Sequence, residues 1–105
     1  VDRAKDMIIS GGENIYSIQV EEAIAKNEAV LEVAVIGIPD DEWGESVKAF
    51  VVTKPVYDLS SEDIMLTAKN NLASYQKPKF VEFVEELPKA PTGKILKRNL
   101  RADSD

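Results

Sequence analysis

Two apolar, β-branched runs separated by one polar turn constrain this chain more than any other feature: Val30 to Ile38, then Ser46 to Thr53. Val and Ile suit a pleated backbone, and Pro39-Asp40-Asp41 ends the first run and turns the chain. Both runs are expected to be central strands of one sheet, paired as antiparallel neighbours. Around them, Asp6 to Ile9, the glycine turn Ser10-Gly11-Gly12-Glu13-Asn14 and Ile15-Tyr16 predict a hairpin. From Ser17, read as an N-cap, Val20, Ala23 and Ile24 recur at helical spacing, with Glu21 and Glu22 in the early turns where the dipole favours acids. This helix should reach about Lys26.

Further along, Ser60 with Asp63 three residues later begins a second helix whose buried stripe is Ile64, Ala68 and Leu72. Phe80 to Val84 predicts a third sheet strand, and Ile95 to Arg101 a short terminal helix with Leu96 and Leu100 on one face. The order is hairpin, α, β, β, α, β, α. It predicts a single α+β domain over residues 1–105: a small sheet of about three strands, helices covering one face, and an N-terminal β-hairpin.

At 105 residues the chain is large enough for a modest core and small for a complete metabolic enzyme. It begins with Val rather than Met, which fits a fragment of a longer polypeptide or a processed product. The formal charge of −6, from 19 acids against 13 bases, argues against nucleic acid as a partner. Yet Lys77, Lys79, Lys89, Lys94, Lys97, Arg98 and Arg101 all fall toward the C-terminal end. A basic stretch on an acidic domain suits a small phosphorylated ligand, and a solvated face is the alternative. The absence of Cys and His removes disulfides, thiolate chemistry and the commonest metal ligands, so no metal site is expected. No apolar run approaches a membrane span and Val1-Asp2-Arg3 does not begin a signal peptide, so the expected location is cytoplasmic.

Four segments could carry chemistry. Gly11 and Gly12 let a backbone approach a ligand closely, or simply make a hairpin turn; the spacing is not that of a dinucleotide fingerprint. Trp43, the only Trp, lies in the acidic loop Asp40-Asp41-Glu42-Trp43-Gly44-Glu45, where it could stack on an aromatic ligand or cap the edge of the core. Tyr75-Gln76-Lys77-Pro78-Lys79 alternates an aromatic with cations, as a phosphorylated nucleotide requires, or it links a helix to a strand. In Leu87-Pro88-Lys89-Ala90-Pro91-Thr92-Gly93-Lys94 the prolines stiffen the approach and Gly93 frees the backbone, presenting one ammonium to an anion developing in a reaction, or simply to solvent as an ordinary loop lysine. It is not a P-loop, because Ile95 stands where Ser or Thr would bind magnesium.

Taken together, Asp2-Arg3-Ala4-Lys5-Asp6-Met7-Ile8-Ile9-Ser10-Gly11-Gly12-Glu13-Asn14-Ile15-Tyr16, Trp43-Gly44-Glu45 and Pro91-Thr92-Gly93-Lys94 resemble the C-terminal domain of the adenylate-forming enzymes. This superfamily contains acyl-CoA synthetases, peptide-synthetase adenylation domains and beetle luciferases. The resemblance covers essentially the whole chain. One departure is Ser17, where many members carry Pro; a capping Ser leaves the fold expectation intact.

The resemblance implies a mobile lid joined near residue 5 to a large N-terminal adenylation domain of the same polypeptide. It implies ATP, a carboxylic acid and CoA as substrates, with Mg2+ accompanying ATP and held mainly by the large domain. Lys94 corresponds to the catalytic lysine of adenylation, Lys5 to the hinge and Arg3 to an arginine near the adenylate ribose. Gly11, Gly12 and Glu13 would line the pantetheine channel, while Trp43, Tyr75, Lys77 and Lys79 would surround the nucleotide end of CoA. The expected function is ATP-dependent acyl-CoA synthesis, to which this piece contributes without catalysing alone. The alternatives are delivery of the acyl group to the phosphopantetheine of a carrier protein, or a non-catalytic nucleotide-binding module.

Overall fold

The computed structural model describes residues 7–73, 76–93, 95–97 and 100. The chain opens with β1 (Met7–Ser10) and β2 (Glu13–Tyr16), whose register runs from Met7 opposite Tyr16 to Ser10 opposite Glu13. That leaves Gly11 and Gly12 as a two-residue turn, with φ of 59° and 83°. Positive φ at both central positions is the geometry that matches strand twist, and glycine adopts it without a Cβ penalty. The hairpin is as the sequence predicted.

Helix α1 (Ser17–Ala25) follows without a break, and two details differ from expectation. Tyr16 is the N-cap and makes no side-chain cap bond; Ser17 is already helical. Ser17 is buried, and its hydroxyl accepts a hydrogen bond from Lys97 Nζ at 3.2 Å instead. Glu21 does not serve the dipole either: the first turn holds no acid, and Glu21 is buried against the sheet. Burial of the helix start has redirected both side chains from local capping to long-range contacts.

The central pair is β3 (Val30–Asp40) and β4 (Gly44–Thr53), antiparallel and longer at the turn end than the apolar runs alone indicated. Asp40 explains the extra length. Its carboxylate accepts the backbone N–H groups of Glu42 at 2.9 Å and Trp43 at 3.0 Å, so the pairing continues to Asp40 opposite Gly44. Helix α2 (Ser61–Asn71) then begins in the predicted capping box, the Ser60 hydroxyl accepting from Asp63 N–H and the Asp63 carboxylate accepting from Ser60 N–H. Its buried residues are Ile64 and Ala68, with Leu72 partly buried at the C-cap.

Strand β5 (Phe80–Phe83) returns parallel to β4, giving the sheet order β3-β4-β5. A parallel return needs a crossover, and α2 provides it. Only β4 is therefore central; β3 is an edge strand, contrary to expectation. Its apolar character comes from burial on both faces rather than pairing on both edges. Val35, Val47, Ala49 and Val51 face the hairpin and both helices, together with Ile8, Ile15, Ile24 and Ile64. Ala34, Ile36, Phe50 and Val52 face the opposite way and meet Leu87, Leu100 and the partly buried Ile95. The sequence assigned helices to one face; the chain after β5 covers the other. Of the predicted terminal helix, Lys97 and Leu100 are helical, but Ile95 is instead in a bridge to Lys89 and Leu96 is not helical; Arg98, Asn99 and Arg101 lie outside the described residues.

Candidate functional site

The β3–β4 turn, the glycine turn and the segment before β5 meet in one open cleft. Ser10, Gly11, Glu13, Trp43, Val47, Lys77 and Lys79 line it, enclosing about 260 Å³. Three separate stretches of sequence singled out for chemistry thus arrive at one place.

Backbone geometry explains how. Gly11 N–H donates to the Trp43 carbonyl at 2.9 Å, fastening the tip of the first hairpin to the tip of the second. A Cβ on Gly11 would lie 2.6 Å from Trp43 Cε3, so the ring packs where only glycine leaves space. Gly12 has no atom within 4 Å of its Cβ position and faces open space. On the other side, Lys79 N–H donates to the Val47 carbonyl at 2.9 Å, extending the β4–β5 ladder by one bond. This brings Lys79 Nζ to 4.9 Å from the Trp43 ring centroid, a cation–π contact at a residue that is still 43% exposed.

Two acids, Glu45, quoted only within its motif, and Asp40, read only as a turn residue, hold the cleft in shape. Glu45 Oε1 accepts from Ile9 N–H at 2.9 Å, tying β1 to β4. Asp40 accepts from the buried Ser46 hydroxyl besides the two backbone N–H groups. The Ser46 hydrogen bond, then those from Trp43 and Glu42, hold the Asp40 carboxyl below its usual range, with a further contribution from the Lys79 charge. The Trp-Gly-Glu run therefore acts as a clamp between hairpins. Glu45 lies in that quoted motif, and the signal for Asp40 was a turn-forming acid three residues before Trp43.

Arg3, Lys5, Tyr75 and Lys94 lie outside the described residues. The flanks of Lys94 are described. Lys89 and Ile95 form an antiparallel bridge, Leu96 N–H donates to the Pro88 carbonyl at 2.8 Å, and Gly93 N–H closes a turn onto the Ala90 carbonyl at 2.8 Å. Gly93 has a φ of 91°, the conformational freedom the sequence suggested. Among the described residues no group of three or more acids could hold a metal ion, and no helix is long and apolar enough to cross a membrane.

A three-stranded sheet covered on both faces, with an open cationic aromatic cleft where two hairpin tips meet, defines a small α+β domain. Residues 19–94 match the family described as the AMP-binding enzyme C-terminal domain, and the chain belongs to it. It is 50% identical over 99 residues to a long-chain-fatty-acid–CoA ligase of Bacillus subtilis, covering 94% of this chain and 18% of that protein. It is 49% identical to a peroxisomal trans-cinnamate:CoA ligase of Petunia hybrida, covering 95% and 18%. Among solved structures, a Mycobacterium tuberculosis fatty acyl CoA synthetase superposes with a TM-score of 0.88 at 48% identity, over 94% of this chain and 20% of that one. The chain thus spans about a fifth of the length of these relatives.

Proposed function

We propose that this domain is the C-terminal lid of an ATP-dependent acyl-CoA synthetase. The observation that carries the reading is the cleft itself, in which Trp43, Lys77 and Lys79 stand beside the glycine turn. CoA asks for that combination: an aromatic face for adenine, ammonium groups for the 3′-phosphate and pyrophosphate, and a narrow small-residue wall for the pantetheine arm. Lys79 already rests over the indole, so an entering adenine exchanges for it and frees the cation for phosphate.

In the first half-reaction a carboxylate oxygen attacks the α-phosphorus of ATP, and the bond to the β-phosphate oxygen breaks to release pyrophosphate. Both reactants are anionic. The Lys94 ammonium offsets their repulsion and stabilises the charge that develops, while Arg3 meets the ribose. In the second half-reaction the CoA sulfur attacks the acyl carbon of the mixed anhydride, the thiol gives its proton to solvent, and the acyl C–O bond breaks so that AMP leaves with the bridging oxygen that came from the carboxylate. A pivot at Lys5 lets one small domain serve both steps, because the charged side chain stays in water while its backbone rotates. Mg2+ enters with ATP and belongs to the large N-terminal domain. Acid specificity also belongs there, since relatives named for a long-chain fatty acid and for trans-cinnamate resemble this domain about equally, at 50% and 49%.

The test is the thiol acceptor. In the full-length enzyme, Lys77→Ala with Lys79→Ala should raise the KM for CoA by at least roughly tenfold, since two charge-assisted contacts contribute at most about 1.5–3 kcal/mol each before screening. ATP and acid parameters should stay within about twofold, and pantetheine should not distinguish the variant from the parent. If CoA and pantetheine respond alike, the cations are structural, and a carrier-protein phosphopantetheine becomes the better acceptor.

A further inference from the structure

We propose that Glu21 and Glu32 are positioning residues for the segment containing Lys94, acting through Lys97 and Lys89, and that they govern the rate of the adenylation half-reaction. This rests on the reading of Lys94 as the adenylation lysine.

The segment has two arms, and each ends in a lysine paired with a glutamate of the domain body. On the incoming arm, Lys89 pairs with Glu32 of β3. On the outgoing arm, Lys97 Nζ lies 2.8 Å from Glu21 Oε2 of α1 and 3.2 Å from the Ser17 hydroxyl. Glu21 is itself fixed, because Oε2 also accepts the Val35 N–H at 3.0 Å, on a strand that among the described residues has no further neighbour in the sheet. Between the two arms runs the bridge of Lys89 with Ile95. The charge on each side is thus transmitted to a short, closed loop.

Apolar packing by Leu87, Ile95 and Leu100 holds this part of the chain on the sheet. Such packing is non-directional and resists sliding weakly, whereas two ion pairs on opposite arms fix where along the surface the loop sits. Precision matters here because a misplacement of about 1 Å in a catalytic geometry costs up to roughly 10²-fold in rate. The two pairs are not equal. Lys97 and Glu21 side chains are 14% and 9% exposed, against 40% and 30% for Lys89 and Glu32, so the inner pair is the stiffer and less salt-sensitive.

The experiment uses the full-length enzyme, with pyrophosphate release measured without CoA and thioester formation measured from supplied acyl-adenylate. Glu21→Gln keeps an acceptor for the Val35 N–H and removes the charge facing Lys97. It should lower adenylation by roughly tenfold or more, with transfer within about twofold. Glu32→Gln should do the same to a smaller extent, and the exchange Glu32→Lys with Lys89→Glu should recover most of what either single change loses. Equal loss in both half-reactions, or no loss in a folded variant, would mean these pairs are merely structural. If Glu21→Gln does not fold, the Glu32–Lys89 exchange decides alone: failure to recover adenylation overturns the proposal. Lys94→Ala is the control that separates the two ideas. If it does not selectively damage adenylation, the reading of Lys94 fails; if it does and the glutamate variants behave as the parent, only the positioning inference fails.

Discussion

Gly11→Ala and Gly12→Ala form a matched pair that isolates one contact. Both residues have positive φ, 59° and 83°, so a Cβ at either costs about 1–2 kcal/mol in backbone strain. Only at Gly11 does the new methyl meet anything, 2.6 Å from Trp43 Cε3 and 3.0 Å from Cζ3, whereas Gly12 faces open space. Ordinary carbon–carbon contact begins near 3.5 Å, so the indole must retreat by roughly 1 Å or the hairpin tip must lift. Either movement disturbs the Gly11 N–H bond to the Trp43 carbonyl and the placement of Lys79 over the ring. As the chain contains a single Trp, fluorescence of residues 1–105 reports the ring directly. Both variants should lose stability to backbone strain, Gly11→Ala the more because of the added clash, and only Gly11→Ala should shift the emission. In the full-length enzyme, Gly11→Ala should raise the KM for CoA by about fivefold or more, equivalent to roughly 1 kcal/mol of lost stacking, while Gly12→Ala should change it by less than about twofold. Equal effects of the two variants on CoA would show that the indole does not contact the acceptor.

Two further outcomes follow from the hinge and the β3–β4 turn. Lys5→Pro fixes φ near −65° at the proposed pivot, so steady-state CoA ligation should fall while adenylation survives better, if the fixed geometry is that of the first orientation; a fully active variant would place the pivot elsewhere. Asp40→Asn should lower the Tm of residues 1–105 at neutral pH. Because the folded carboxyl pKa is depressed, its stabilisation is complete above the ordinary value of 3.8 and lost as pH falls through the lower folded value. The Tm difference between parent and variant should therefore be constant above about pH 5 and shrink in more acidic solution; a difference independent of pH throughout would exclude the charge as its cause.

Local patterns determined a great deal by themselves. The paired glycines required a positive-φ turn and Ser60 with Asp63 built its capping box, each through contacts within a few residues, and the β-branched runs zipped from their own turn at Asp40 and Gly44 into the long antiparallel pair. Family membership was also legible, because its motifs are short continuous strings such as Trp43-Gly44-Glu45. What tertiary structure decided were the partners of side chains whose chemistry allows more than one. Ser17 and Glu21 had the types and positions of a helix start, yet burial gave the first to Lys97 and the second to both Lys97 and the edge of β3. The same holds for β3, whose composition reads as central although its apolar side chains answer to two covered faces and only one paired edge. Sequence spacing sets what a residue can do within a turn or two; which distant group it meets depends on a sheet order and a crossover that no local pattern encodes.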